Sequence, residues 1–128
     1  MKNVVVSMQN TLLAEAVAGA FLKTGEFRVE QVLPGRPDDA ASLCASARAD
    51  VLLMEVSRLD GYTLERRMCL IDAVRERTPG CRFALLCDEN GDPELARRVM
   101  RARQDRRIDA FFYASVTSEY LTAAIDAL

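Results

Sequence analysis

Chemistry in this chain has to come from carboxylates, thiols and guanidinium groups, because its 128 residues contain no histidine. That absence removes Ser-His and Cys-His dyads, HExxH metal sites and any imidazole general base. A self-contained hydrolase is therefore not expected. Glu55 stands near the end of the apolar run Val51-Leu52-Leu53-Met54-Glu55-Val56, and Asp88 and Glu89 directly follow Phe83-Ala84-Leu85-Leu86-Cys87. Three such carboxylates could hold a hard cation through oxygen. Adjacent acids on a loop are more commonly just solvated, and that is the reading adopted for Asp88 and Glu89. Cys44, Cys69, Cys81 and Cys87 contain no CxxC pair and lie in or beside apolar segments, as small buried hydrophobes do in a reducing compartment. Cys87, at a strand end, is placed to sense a redox change or a ligand. No cation neighbours it in sequence, so inert packing is expected.

Seventeen basic and nineteen acidic side chains give a formal net charge of -2. The chain has no global field to draw it onto nucleic acid or membrane, so any basic surface is local. The local concentration is Arg97, Arg98, Arg101, Arg103, Arg106 and Arg107. Arg97 and Arg101 share a helix face and Glu94 is spaced to pair with Arg98 one turn on, so a solvated face is the default and a protein-contact face the alternative. Direct DNA contact is not expected, because no helix-turn-helix pattern is present.

These groups must be positioned by a single domain, which at this length buries roughly two thirds of its unfolded surface. The opening run, Val4-Val5-Val6, is too short for a signal-peptide core or a membrane span, so a soluble cytoplasmic protein is expected. Val4-Val5-Val6 reads as a buried strand. A helix follows with Leu12, Leu13, Val17, Ala20 and Phe21 on one face, closed by Gly25. Phe27 to Leu33 alternates like a half-covered strand near a sheet edge, stopped by Pro34-Gly35-Arg36-Pro37. Asp38 or Asp39 is placed to cap a short helix carrying Leu43 and Cys44. Val51 to Val56 lacks alternation, as a central strand covered on both faces would. After the Asp60-Gly61 turn, Leu64 to Arg77 forms a helix with Leu64, Met68, Ile71 and Val74 in a stripe. Phe83 to Cys87 is the next strand, Pro93 opens a helix burying Leu95, Val99 and Ala102, and Ala110-Phe111-Phe112-Tyr113 is the last strand. A final helix starts near Thr117 or Ser118. Of the adjacent rings, one of Phe111 and Phe112 is core, and Tyr113 or Phe112 is free to face a partner.

Five strands alternating with five helices predict a parallel sheet between helical layers, by the right-handed crossover rule. Ligands in such sheets bind beyond the carboxyl ends of the strands, at Ser7-Met8-Gln9, Glu55, Cys87-Asp88-Glu89 and Ala114-Ser115.

In element order and spacing the whole chain resembles the receiver domains of bacterial response regulators, most closely those in front of NarL/LuxR-type transcription factors. The resemblance implies an α/β flavodoxin-like (CheY-like) doubly wound (βα)5 sandwich over residues 1–128, with a five-stranded parallel sheet in order 2-1-3-4-5. Asp50-Val51-Leu52-Leu53-Met54-Glu55-Val56 falls where such receivers carry the phosphoacceptor, with Asp60-Gly61 echoing a later turn. The family's working set does not carry over. The acid pair that holds Mg²⁺ falls on Met8 and Gln9, the acceptor aspartate on Glu55, the hydroxyl residue on Cys87 and the lysine on Ala114.

Phosphoryl transfer to a carboxylate rests on positioning and charge neutralisation. Mg²⁺ wants several hard oxygen ligands, Cys87 offers a weak donor, and the extra methylene of Glu55 misplaces an attacking oxygen by roughly an ångström, a fault costing about a hundredfold. The expectation is a pocket that has lost phosphotransfer, with Mg²⁺ weakly bound or absent and no other cofactor. Glu55 then serves either as a fixed negative charge in place of a phosphoryl group or as a strand-end carboxylate held by backbone N–H groups or Arg58. The resemblance also implies a protein partner or a second copy on the face of the fourth helix, last strand and last helix, with candidates Arg97, Arg98, Arg101, Tyr113 and Glu119. DNA would be reached only through a separate output domain after Leu128, and no membrane contact is expected. Two alternatives stand beside this reading. One is a phosphorylatable receiver using Glu55 or Asp60 with an unorthodox metal site. The other is a small flavodoxin-like ligand-binding protein, disfavoured because Ser7 to Thr11 has no glycine to cradle phosphate.

Overall fold

A computed structural model describes all 128 residues. The strands are β1 (Lys2–Ser7), β2 (Phe27–Gln31), β3 (Val51–Glu55), β4 (Arg82–Cys87) and β5 (Ala110–Tyr113). The helices are α1 (Thr11–Thr24), α2 (Ala40–Ala47), α3 (Leu64–Arg77), α4 (Pro93–Gln104) and α5 (Ser118–Asp126), with a 3-10 turn at Pro37–Asp39 leading into α2. All pairings are parallel, in the order β2-β1-β3-β4-β5. The doubly wound α/β sandwich expected from the sequence is therefore the one observed.

β1, β3 and β4 are central and their apolar runs do not alternate, because both faces are covered. One face packs Leu52, Met54, Phe83 and Leu85 against α2, α3 and α4, including Ile71, Val74 and Val99. The other packs Val4, Val6, Leu53 and Leu86 against α1 and α5, including Phe21 and Ile125. Each fully buried Leu or Phe contributes roughly 1.5–3 kcal/mol by leaving water, so these two layers hold the strand ends in fixed register.

Local signals account for the helix ends. Asn10, Thr63, Asp92 and Thr117 each accept a backbone N–H at the start of α1, α3, α4 and α5. Gly25 ends α1 at φ 73°, in the left-handed region. At the far end of the sheet, Lys2 Nζ donates to the carbonyl oxygens of Asp126 (2.7 Å) and Leu128 (2.9 Å), clasping the last turn of α5 against β1.

Five local expectations change, the first being that Cys69, expected as a buried hydrophobe, lies exposed on α3 because it falls outside the buried face of Leu64, Arg67, Leu70, Ile71 and Val74. Leu12 is 75% exposed, because α1 buries Ala14, Val17, Ala18 and Phe21 and so turns a different face inward. Neither Asp38 nor Asp39 caps α2: the 3-10 turn supplies its first backbone bonds, and the two acids pair with Arg66 and Arg36. Glu94 does not pair with Arg98, which reaches Glu65 on α3 instead. β2 ends at Gln31 rather than Leu33. Of the two adjacent rings, Phe112 is core and Tyr113 faces outward at 39% exposure.

Candidate functional site at the carboxyl rim of the sheet

β1, β3, β4 and β5 end together, and their exits bring Ser7, Glu55, Cys87 and Tyr113 to one rim. Glu55 is half-buried, and one of its oxygens, Oε1, accepts the backbone N–H of Gln9 at 2.8 Å and of Asn10 at 3.0 Å. The carboxylate thus completes the entry to α1, where Asn10 is already the cap. Two N–H groups around one ionised oxygen form charge-assisted bonds, stronger than neutral ones. Of the two holders considered for Glu55, backbone N–H groups are the ones present. Arg58 bonds Asp92 instead, with its second contact at 3.0 Å.

The residue that sequence reasoning missed is Arg67, fully buried beneath the rim. Its Nε donates to the Glu55 carbonyl (2.9 Å), while its two terminal nitrogens donate to Ser7 Oγ (3.0 Å) and the Ser7 carbonyl (3.0 Å). Its guanidinium lies 4.9 Å from the centre of the Tyr62 ring, within cation–π range. Burial pulls its pKa down to about 10, so it remains charged at neutral pH. A single fixed cation therefore spans the ends of β1 and β3, satisfying carbonyls that would otherwise face the interior unpaired.

Met8, Gln9, Cys87 and Ala114, expected at the same rim, bring neither a carboxylate nor an ammonium to it. Met8 is buried in the α1/α5 core layer and turns no ligand toward the rim. Gln9 contributes its backbone N–H and leaves its side chain exposed. Cys87 is buried in the opposite layer, and desolvation raises its thiol to about 11, so it is no thiolate at neutral pH. Ala114 is exposed, and its N–H donates to the Cys87 carbonyl (2.9 Å) and to Glu89 (3.1 Å). No three acids or thiols stand close enough to hold a metal ion, so Glu55, Asp88 and Glu89 are not brought together as ligands.

Side chains from the rim loops tie them to one another. Arg58, after β3, pairs with Asp92 at the start of α4; Arg98 of α4 pairs with Glu65 of α3; and Glu89, after β4, accepts the Ala114 N–H after β5. The carboxyls of Glu65, Asp92 and Glu89 are each held below their ordinary range, chiefly by Arg98, Arg58 and Ser115 respectively. A carboxyl more acidic in the folded than the unfolded state stabilises fully above its unfolded pKa of about 4 and loses that contribution as pH falls through the lower folded value. The urea midpoint is accordingly expected to drop steadily below about pH 4. Asp92→Asn, which keeps the helix cap, should flatten part of that drop. Glu65 is exposed and Glu89 and Asp92 are half-buried at the surface, so added salt should shrink the effect.

On α4, Arg97 and Arg101 share an outward face with Glu94, Met100 and Gln104. Arg98 is committed to Glu65 and belongs to the α3–α4 contact. Tyr113 adds an exposed ring packed edge-on against Phe111 at 5.6 Å. Glu119 lines a hollow between α1 and α5 with Lys23 and Thr24, which turns it toward α1 rather than toward α4.

Sheet order and helix placement are those of the CheY-like flavodoxin fold. The signal receiver domain of the response regulator NarL from Mycobacterium tuberculosis superposes with a TM-score of 0.73 at 19% identity, over 98% of this chain and 94% of that one. A CheY-like response regulator receiver domain from Methanospirillum hungatei gives 0.76 at 11% identity, over 99% and 92%. A pilus assembly protein (cpaE) from Burkholderia thailandensis gives 0.69 at 17% identity, over 99% and 97%. No family model matches the sequence, and no curated protein matches it. No helix is long and apolar enough to cross a membrane.

Proposed function

We propose that this chain is a receiver-type signalling module that works by protein contact and not by accepting phosphate. The observation that carries the reading is Glu55: one of its two carboxylate oxygens accepts two backbone N–H bonds and is committed to the entry of α1. No hard-ligand partner or lysine stands beside it, and the buried cation, Arg67, is spent on carbonyls and a hydroxyl. No metal or other cofactor is assigned. The contact face is the outer side of α4 with β5, where Arg97, Arg101 and Tyr113 are exposed, and its occupant is a protein partner or a second copy of the chain. Likeness to receivers of NarL and LuxR type supports a DNA-binding output domain in a cytoplasmic transcription regulator. Likeness to a pilus assembly protein supports the same module docking on a protein machine instead.

Incubation with acetyl phosphate and Mg²⁺ is expected to leave the intact mass unchanged, and beryllofluoride with Mg²⁺ to leave the amide spectrum of Gln9, Asn10 and Glu55 unmoved. A phosphoryl adduct on Glu55 or Asp60 would overturn the reading in favour of an unorthodox phosphorylatable receiver.

A further inference from the structure

β2 is one edge of the sheet, and β5, beside the α4 contact face, is the other. The parallel ladder to β1 is bracketed by Lys2 N–H on the Glu26 carbonyl (3.4 Å) and Val32 N–H on the Val6 carbonyl (2.9 Å). Even-numbered residues of β2 therefore aim their backbone groups at β1, and Phe27, Val29 and Gln31 aim theirs outward. The usual devices that blunt such an edge are missing: Phe27–Gln31 has no proline, no lysine and an unbroken register. Its charged residues are Arg28 and Glu30, both exposed on the α2 side, where they line a hollow with Ser46 and Ala47. Neither is ion-paired within the chain. On the other side Phe27 packs against Phe21 of α1, and Leu22, on the α1 flank opposite Leu13 and so away from α5, adds apolar surface at 59% exposure.

We infer that two copies of this chain join through β2, antiparallel about a two-fold axis at Val29, into one continuous sheet. In that register Val29 faces its own copy and Phe27 faces Gln31, so each outward N–H meets a carbonyl. Arg28 then stands opposite Glu30 of the second copy, and Glu30 opposite Arg28, at positions where Cα atoms come within about 4.5 Å. Charges on an edge ordinarily discourage pairing. Here they are opposite in sign and two residues apart, so the two-fold sets a matched pair on each side of the axis. Sliding the strands by two residues would set Arg28 against Arg28 or Glu30 against Glu30, so the same charges fix the register. The α4–β5 face stays free for another partner.

The test is sedimentation equilibrium of the full chain across a concentration series. The expected species is a dimer, with the amides of Phe27, Val29 and Gln31 gaining hydrogen-exchange protection as it forms. Glu30→Arg and Arg28→Glu should each weaken association roughly tenfold or more. Mixing these two variants should restore it, since every facing pair is then opposite in charge. Val29→Pro removes an outward N–H and no ladder bond to β1, and should leave a folded monomer. A monomer at every concentration would overturn the inference. So would a dimer indifferent to both charge changes, or one that Arg97→Glu with Arg101→Glu dissolves while Phe27, Val29 and Gln31 stay unprotected, which places the contact on α4.

Discussion

Replacing Arg67 with Ala is expected to cost about 3–5 kcal/mol, from buried acceptors left without a donor and from the cavity left behind. The guanidinium has three acceptors, the carbonyl oxygens of Glu55 and Ser7 and the Ser7 hydroxyl. Without it the Ser7 carbonyl and hydroxyl are left buried and unpaired, at about 1–3 kcal/mol each, while the part-buried Glu55 carbonyl can turn to water. A cavity beside Tyr62 adds to the loss. A domain of this kind has about 5–15 kcal/mol in total, so the variant should sit near the edge of folding. Arg67→Lys keeps the charge but loses the planar fork, and should fall between the two. Urea midpoints of the three proteins measure this; an alanine variant within about 1 kcal/mol of the parent would mean that water fills the site and replaces the three bonds.

Glu55→Ala is expected to cost about 1–2 kcal/mol. The carboxylate's bonds to Gln9 and Asn10 are charge-assisted, a class contributing about 1.5–3 kcal/mol. The value is discounted because Gln9 and Asn10 are exposed and water can take over part of the role. Glu55→Gln keeps an acceptor oxygen without its charge and should lose roughly half as much. Glu55→Asp, the substitution that would restore an ordinary phosphoacceptor, is shorter by one methylene and should destabilise about as much as alanine. Amide hydrogen exchange at Gln9 and Asn10 should accelerate in the same order. Unchanged exchange in Glu55→Ala would show that the carboxylate does not hold that loop in solution.

The helical stripe of α3 shows what could be read from sequence and what was passed over. Its limits, Leu64 and Arg77, are legible in the sequence because apolar residues recur there at helical spacing after the Asp60-Gly61 turn. The buried face runs through Leu64, Arg67, Leu70, Ile71 and Val74. Arg67 occupies a core phase of that stripe, so the signal was present: a charged residue where the period demands an apolar one. It was passed over because arginine is assigned outward by default, whereas a planar group with five donors can satisfy several strand-end carbonyls at once.

Arg58–Asp92 and Arg98–Glu65 were illegible for a different reason. Each joins segments that neighbour one another only after the sheet order is set, and i,i+4 spacing pointed instead to Glu94–Arg98. The whole-chain order of elements was readable because unalternating strands and capped helices are local facts. The pairing of rim side chains was not, because it is decided by the topology those elements adopt.

The Lys2 clasp on the last turn of α5 sets the start of β1 against the end of α5. Splicing them with a short flexible peptide and cutting the backbone at the solvent-facing bend near Asn90 and Gly91 would give a circular permutant with every strand still beside its present neighbours. The order of strands and helices is in that sense cyclic, with β1 and α5 as neighbours.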